Sequence, residues 1–428
     1  MKQELYENYI NILEEELVPA LGCTEPIAIA YAGAKARGVL GEFPQKVIIK
    51  CSGNIIKNVK GVTVPNSGDI KGIDAAALLG IIGGNADMQL EVLESVTDED
   101  RIKLKELLKA KICTCELQEG TDNLYIDIKV IGKNHTAKVI VSDYHTNIIK
   151  IEKDNEILLD KINEVNNKIE IKPADRNLLN VKDIIEFADT VDLSKVKELL
   201  DTQINYNMAI AKEGLTNNFG ANVGLNLLAL YGESLPVRAR AMAAAGSDAR
   251  MSGCALPVVI NSGSGNQGMT VSIPLVVYAK EYTIAPEKLY RALLVSNLLA
   301  IHQKKYIGKL SAFCGAVSAG YACGAAITYM LGGNFTQIAH TITNTLANTS
   351  GIICDGAKPS CAAKISVALD AALLAHTMSM HSDVFKADEG IIKKDLEQTI
   401  RAVGHIGKEG MKSTDIEVLN IMIDKICP

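Results

Sequence analysis

"LYIDIKVIGKNHTAKVIVSDYHTNIIKIEKD", residues 124–154, decides the fold class of the first half of the chain. Apolar and polar residues alternate through 124–132, 136–143 and 146–154, and short clusters of turn-forming residues separate the three runs. Period-two alternation broken at short intervals is the pattern of an antiparallel meander with one covered face. Upstream, KICTCEL (111–117) adds a further β-rich run, and KVIIKCSGNIIKNVKGVTVP (46–65) reads as strand, Gly/Asn-rich loop and strand. GIDAAALLGIIGG (72–84) reads as a helix stopped by paired glycines.

Beyond a charged, Asn-rich stretch at 153–186 the strand signals almost vanish. Runs at 193–213, 234–251, 285–302, 311–331, 335–349, 361–380 and 394–404 are rich in Ala, Gly and Leu and are joined by loops carrying Gly, Pro and Asn. Such runs predict closely packed helices. The expected fold is α+β, with a mixed α/β domain over 1–190 built on a mainly antiparallel sheet and an all-helical domain over 191–428. Two domains suit the length, since one domain commonly takes about 100–200 residues. Residues 311–333 carry no charge over a span that could cross a bilayer. Their Ala, Gly, Ser and Cys content is only weakly hydrophobic, so the segment reads as a buried helix.

A net charge of −6, a pI near 5.8, no Trp and 4% aromatic residues exclude the basic, stacking surface that nucleic acid requires. The opening MKQELYENYINILEEEL is charged and amphipathic, unlike a secretory signal, and a cytoplasmic location is expected. In that compartment the ten cysteines are expected as thiols, ligands or nucleophiles rather than disulfides. The expected partner is a small molecule, without nucleic acid or membrane, and homo-oligomerisation is left open.

Within LVPALGCTEPIAIAYAGAKAR (17–37), Pro26 suits the first turn of a helix, because it lacks an amide hydrogen and its φ is already helical. The helix is expected to begin at Thr24 or Glu25, with Thr24 capping free amides and Glu25 at the positive end of the dipole. Cys23 then sits at a helix N-terminus, where thiolate gains over thiol and the pKa falls, although Glu25 opposes the shift. The same residue also reads as a small buried apolar side chain.

Three further cysteines lie in loop-like or helix-edge settings: Cys314 in SAFCGAV, and Cys354 and Cys361 at the two ends of CDGAKPSC. The Gly/Lys/Pro turn between the last two can fold both sulfurs toward one point. The spacing is not that of a zinc ribbon and no second pair matches it, so an iron–sulfur cluster suits these residues better than structural zinc. Three unrelated buried thiols fit them as well. NSGSGNQG (261–268) offers Ser262, Gly263, Ser264 and Asn266 as an anion nest, or is a plain interhelical loop. SGNIIKNVKGVTVPNSG (52–68) offers Asn54, Lys57 and Asn58, or is a solvated loop. His302 is a helix-end histidine or a base.

Four stretches, ALGCTEPIAIAYAGAKA, INSGSGNQG, SAFCGAVSAGYACGAA and GIICDGAKPSCAAKI, follow one another between about residue 15 and residue 380. Together they resemble the L-cysteine desulfidase family, which is related to the iron–sulfur L-serine dehydratases of bacteria. The resemblance implies an oxygen-sensitive 4Fe–4S cluster with one open iron, held by three cysteines that match Cys314, Cys354 and Cys361. It also implies a carbon–sulfur lyase acting on L-cysteine between an α/β and a helical domain, with Cys23 of GCTEP as the catalytic thiol and Thr24 among the substrate-binding residues. The dehydratases are less similar at that point, where they carry a Ser/His-rich motif.

Elimination of HS⁻ from L-cysteine needs a Lewis acid for the leaving sulfur and a base for the α-proton. An open, soft iron answers the first need. Cys23 answers the second, or serves as a resting fourth ligand. The aminoacrylate released then yields pyruvate and ammonia without protein help. Lys358, between two of the expected ligands, is read as offsetting cluster charge. The alternatives are an L-serine dehydratase with the same cluster, and a non-catalytic amino-acid-binding or membrane-associated helical protein. A pyridoxal-phosphate enzyme would need a Schiff-base lysine and a phosphate cup in a parallel α/β frame, which the second half does not supply.

Overall fold

The computed structural model describes residues 1–161, 173–308 and 310–423, so 162–172 of the charged stretch lies outside the described residues. Tyr125–Ile131, Thr136–Ser142 and Ile148–Lys153 pair antiparallel in sequence order, and Glu156–Asp160 adds an edge strand. On the other side Lys46–Cys51 pairs antiparallel with Tyr125–Ile131 and parallel with Cys113–Leu117, completing a six-stranded sheet. Alternation decides which face is covered: Val47, Ile49 and Cys51 align with Val130, Ile128 and Ile126, and all six are fully buried. Helix Thr24–Leu40 covers that face. It also packs on helix Ile73–Gly83 so closely that a Cβ on Gly80 would stand 2.1 Å from the Ala30 carbonyl oxygen. Glycine is required there by the close approach of two backbones.

Residues 46–65 do not form two strands. After Lys46–Cys51 the chain turns into helix Gly53–Val59, because Ser52 accepts the Ile55 amide as an N-cap and Ile55 and Val59, four apart, both face the core.

The second half is mainly helical; helices Val223–Tyr231 and Lys412–Met422 fall outside the expected runs, and two further differences bear on the site. The short strand Pro257–Val259 pairs antiparallel with Pro19–Leu21, so backbone hydrogen bonds tie it to the segment just ahead of Cys23. The second difference is helix Gly265–Glu281, which carries Pro274 in its interior and three small residues at its entry, and so lacks an ordinary helical signature. One hydrophobic core runs through both halves. The segment expected as a packed helix is Gly315–Met330, buried at every position from Ala316 onward. Among the described residues one helix, Cys361–Met380, is long and apolar enough to cross a membrane. In this fold it packs against Gly315–Met330, Phe335–Thr349 and Leu235–Met251. Near the end of the described chain, helix Lys412–Met422 returns to Gly53–Val59.

Candidate functional site

Four helices begin at one cavity of about 320 Å³. They are Thr24–Leu40 behind Cys23, Gly265–Glu281 behind Ser264, Gly315–Met330 behind Cys314, and Cys361–Met380 at Cys361. Their positive dipole ends face the same space, and Arg250 and Lys304 line it as well. The cavity is built for negative charge. Its opposite wall comes from the meander: the turn between Thr136–Ser142 and Ile148–Lys153 brings in Tyr144 and His145, and His145 lies against Gly263. Gly263, at φ +75°, leaves no Cβ in the way of that imidazole.

Cys23 sits at the N-terminus of its helix as expected, but its side chain caps no amide and its thiol is not activated. The Sγ donates to Glu25 Oε2 at 3.1 Å, and burial first, then the Glu25 charge, push its pKa well above the ordinary thiol value. The helix-end effect expected from position alone is outweighed by burial beside a carboxylate. Burial would raise Glu25 too, yet His145, the Cys23 hydrogen bond and Arg250 outweigh it and hold the carboxyl below its usual value. Asn58 donates to Glu25 Oε1 at 3.0 Å. At neutral pH the site therefore holds a carboxylate and a protonated thiol. Thr24 does not cap amides: its hydroxyl donates to the Gly263 carbonyl at 2.8 Å and ties this turn to the glycine-rich loop.

Cys314, Cys354 and Cys361 all line the cavity. An isolated bridge between Phe313 and Ile353 aligns two of their segments, with the Cys314 amide on Ile352 O at 3.0 Å and the Cys354 amide on Ala312 O at 2.6 Å. Burial first, then Cys354, push Cys314 up to about 12 and raise Cys361, so the thiols are close enough to feel one another. Among the described residues no three His, Cys, Asp or Glu side chains are gathered to hold a single metal ion. A multi-iron cluster takes each thiolate on a separate iron and spreads its ligands. The donor set suits one: the Ala316 and Lys358 amides are directed at the sulfurs of Cys314 and Cys361, and Lys364 and Lys304 supply positive charge beside them. Lys358 and Lys364 are both paired with Asp355, Lys358 at 2.8 Å.

Of the other expected residues, Asn58, Ser262, Gly263, Ser264 and Asn266 line the cavity. Thr24, Asn54, Lys57 and His302 do not. Lys57 is buried in an ion pair with Asp415 of helix Lys412–Met422, a partner far away in sequence. His302 is fully buried against Glu397, with Nε2 2.7 Å from Oε2. Asn54 lies at the entry of helix Gly53–Val59, away from the cavity. Glu25, His145, Arg250, Gln267 and Lys304 also line the site and were not expected there. Glu25 carried a local signal, adjacency to Cys23, and Gln267 another, its place within NSGSGNQG. Buried amide oxygens of Asn58, Asn266 and Gln267 lack hydrogen-bond partners among the described residues, as expected of acceptors awaiting a ligand's donors.

The family model described as serine dehydratase alpha chain matches residues 87–420. The chain is 52% identical over 420 residues to a UPF0597 protein of Desulfitobacterium hafniense, covering 98% of this chain and 97% of the relative. It is 50% identical over 420 residues to a UPF0597 protein of Lachnoclostridium phytofermentans, with 98% and 100% covered. A UPF0597 protein of Treponema denticola is 50% identical over 426 residues, with 98% of both chains covered.

Proposed function

Since this chain belongs to the serine dehydratase alpha chain family, we propose that it is an iron–sulfur lyase that eliminates hydrogen sulfide from L-cysteine, yielding sulfide, ammonia and pyruvate. One observation supports this most: Cys314, Cys354 and Cys361 open onto the same cavity as the Cys23–Glu25 pair. A 4Fe–4S cluster held by the three cysteines would supply an open iron as Lewis acid for the departing sulfur.

The chain's own residues do the rest. Glu25, ionised, and Cys23, protonated, act as one acceptor: Cys23 takes the α-proton at Sγ while its own proton passes to Glu25 Oε2. The Cα–H electron pair forms the Cα–Cβ double bond as the Cβ–S bond breaks and HS⁻ leaves. Asn58 holds Glu25 in place through the relay. The amide oxygens of Asn58, Asn266 and Gln267 suit the donors of an ammonium group. The aminoacrylate that leaves becomes pyruvate and ammonia in water.

Loss of hydroxyl from L-serine is the second reading, favoured by the family match. Sulfide release from cysteine and pyruvate release from serine, measured on one preparation made without oxygen, decide between them. Iron and acid-labile sulfide near zero in that preparation would sink both, and a colourless protein that binds amino acids without converting them would point to a non-catalytic role.

A further inference from the structure

Arg250, next to last in helix Leu235–Met251, is 2% exposed and lines the cavity. Its Nε donates to the Gly22 carbonyl at 2.9 Å, which fixes the plane of the guanidinium. A guanidinium carries five N–H donors, and the four on its terminal nitrogens have no protein acceptor among the described residues. It makes no ion pair within 4 Å among those residues, although Glu25 feels its charge.

The surroundings are shaped around this group. A Cβ on Gly265 would stand 2.5 Å from Arg250 Nε and 2.9 Å from Cζ, so the first residue of helix Gly265–Glu281 must be glycine while the guanidinium holds this position. The negative end of its own helix favours the Arg250 cation, the positive end of helix Gly265–Glu281 opposes it, and burial leaves it in want of an anion. Two planar N–H groups facing a cavity match a carboxylate in bidentate geometry.

We propose that Arg250 is the anchor for the substrate's α-carboxylate, so that the cavity selects small acids carrying a free carboxylate. The assignment rests on the lyase reading for the identity of the substrate and not for the anion. Anchored there, a small amino acid keeps its carboxylate at Arg250, within the same cavity as Glu25, Cys23 and the three cysteines. Negative charge on a bound cluster is the other source that could satisfy the guanidinium, and iron content separates the two.

The test compares the intact protein, prepared without oxygen, with R250K and R250M. The readouts are iron per chain, KM and kcat for the amino acid turned over and for its carboxamide, and calorimetric binding of pyruvate. R250M is expected to raise KM for the amino acid by about 10- to 100-fold and to leave the carboxamide nearly unchanged, because only the former loses a charge-assisted pair. R250K should fall between, with iron retained in both variants. Equal losses on both substrates would assign Arg250 a structural role, and loss of iron would assign its charge to the cluster; either overturns the proposal. Should the protein convert neither cysteine nor serine, the lyase reading fails alone, and pyruvate still decides here. Binding lost in R250M supports the anchor; binding retained in R250M, or absent from the unaltered protein, removes it.

Discussion

Cys23 Sγ donates a hydrogen bond to Glu25 Oε2 across 3.1 Å, and both side chains are buried at the wall of the same cavity. Burial and the neighbouring carboxylate keep the thiol protonated, and the carboxylate, held below its usual value, is the basic partner.

Glu25→Gln is the direct probe of that pair. The amide keeps an acceptor for Cys23, so the fold and the iron content should be retained. Proton acceptance is removed, and turnover is expected to fall by about 10² to 10⁴-fold, the usual worth of a positioned acid–base group. Sulfide release measured beside iron content checks this; activity within twofold of the unaltered protein would take Glu25 out of the reaction.

The three cysteines of the cavity should behave as a set. Replacing Cys314, Cys354 or Cys361 with Ala is expected to abolish iron binding, since a cluster loses a third of its protein attachment each time. Cys323 is the control. It is fully buried inside helix Gly315–Met330, where burial raises its thiol, and Cys323→Ala should keep its iron and lose only packing, about 1 kcal/mol for one small buried group. Iron analysis of the four variants decides, and iron lost from the Cys323 variant alone would show the ligand set to be wrong.

Asp248 carries a pH signature away from the chemistry. It is 1% exposed and accepts the Gly224 amide at 3.1 Å, and burial pushes its carboxyl up to about 6 in spite of the amides of Gly224 and Val223. An aspartate in the unfolded chain titrates near about 3.9. Between these values the native state binds more protons than the unfolded state, so stability must fall as pH rises through the window from about 4 to 6. The full cost above the window is on the order of 3 kcal/mol. Asp248→Asn keeps an acceptor for Gly224 and removes the titration. Denaturant midpoints of the two proteins, followed from pH 4 to 7, should show the unaltered protein losing ground to the variant, and parallel curves would refute the assignment.

What could be read ahead of the structure was what short-range pattern controls. The meander at 124–154 follows from alternation, and the start of the Thr24 helix follows from Pro26 and its neighbours. Helix Gly53–Val59 was hidden because glycine and asparagine read as loop until Ser52 is seen to cap it. At the site, residues flanked by glycines and cysteines were visible, whereas Arg250, Lys304 and His145 were not. Each of these stands in an ordinary helix end or turn, and only packing brings it to the cavity. Lys57 and His302 failed in the opposite way: each has a local setting suited to a site, and a distant acidic partner, Asp415 or Glu397, occupies its polar end. Pairings across more than 90 residues leave no local trace.

The two roles open to Cys23 part company in Cys23→Ser. A serine hydroxyl can keep the hydrogen bond to Glu25 but is far too weak an acid to relay a proton through an alkoxide at neutral pH. If Cys23 and Glu25 work as one acceptor, iron should stay near normal while turnover falls by about 10² to 10⁴-fold. If Cys23 instead closes the open iron at rest, the variant should hold its cluster less well in air and keep much of its activity. Anaerobic iron quantitation beside a sulfide-release assay on this one variant separates the outcomes. Full iron with full activity would return Cys23 to a buried packing residue and leave Glu25, held by Asn58, to take the α-proton directly.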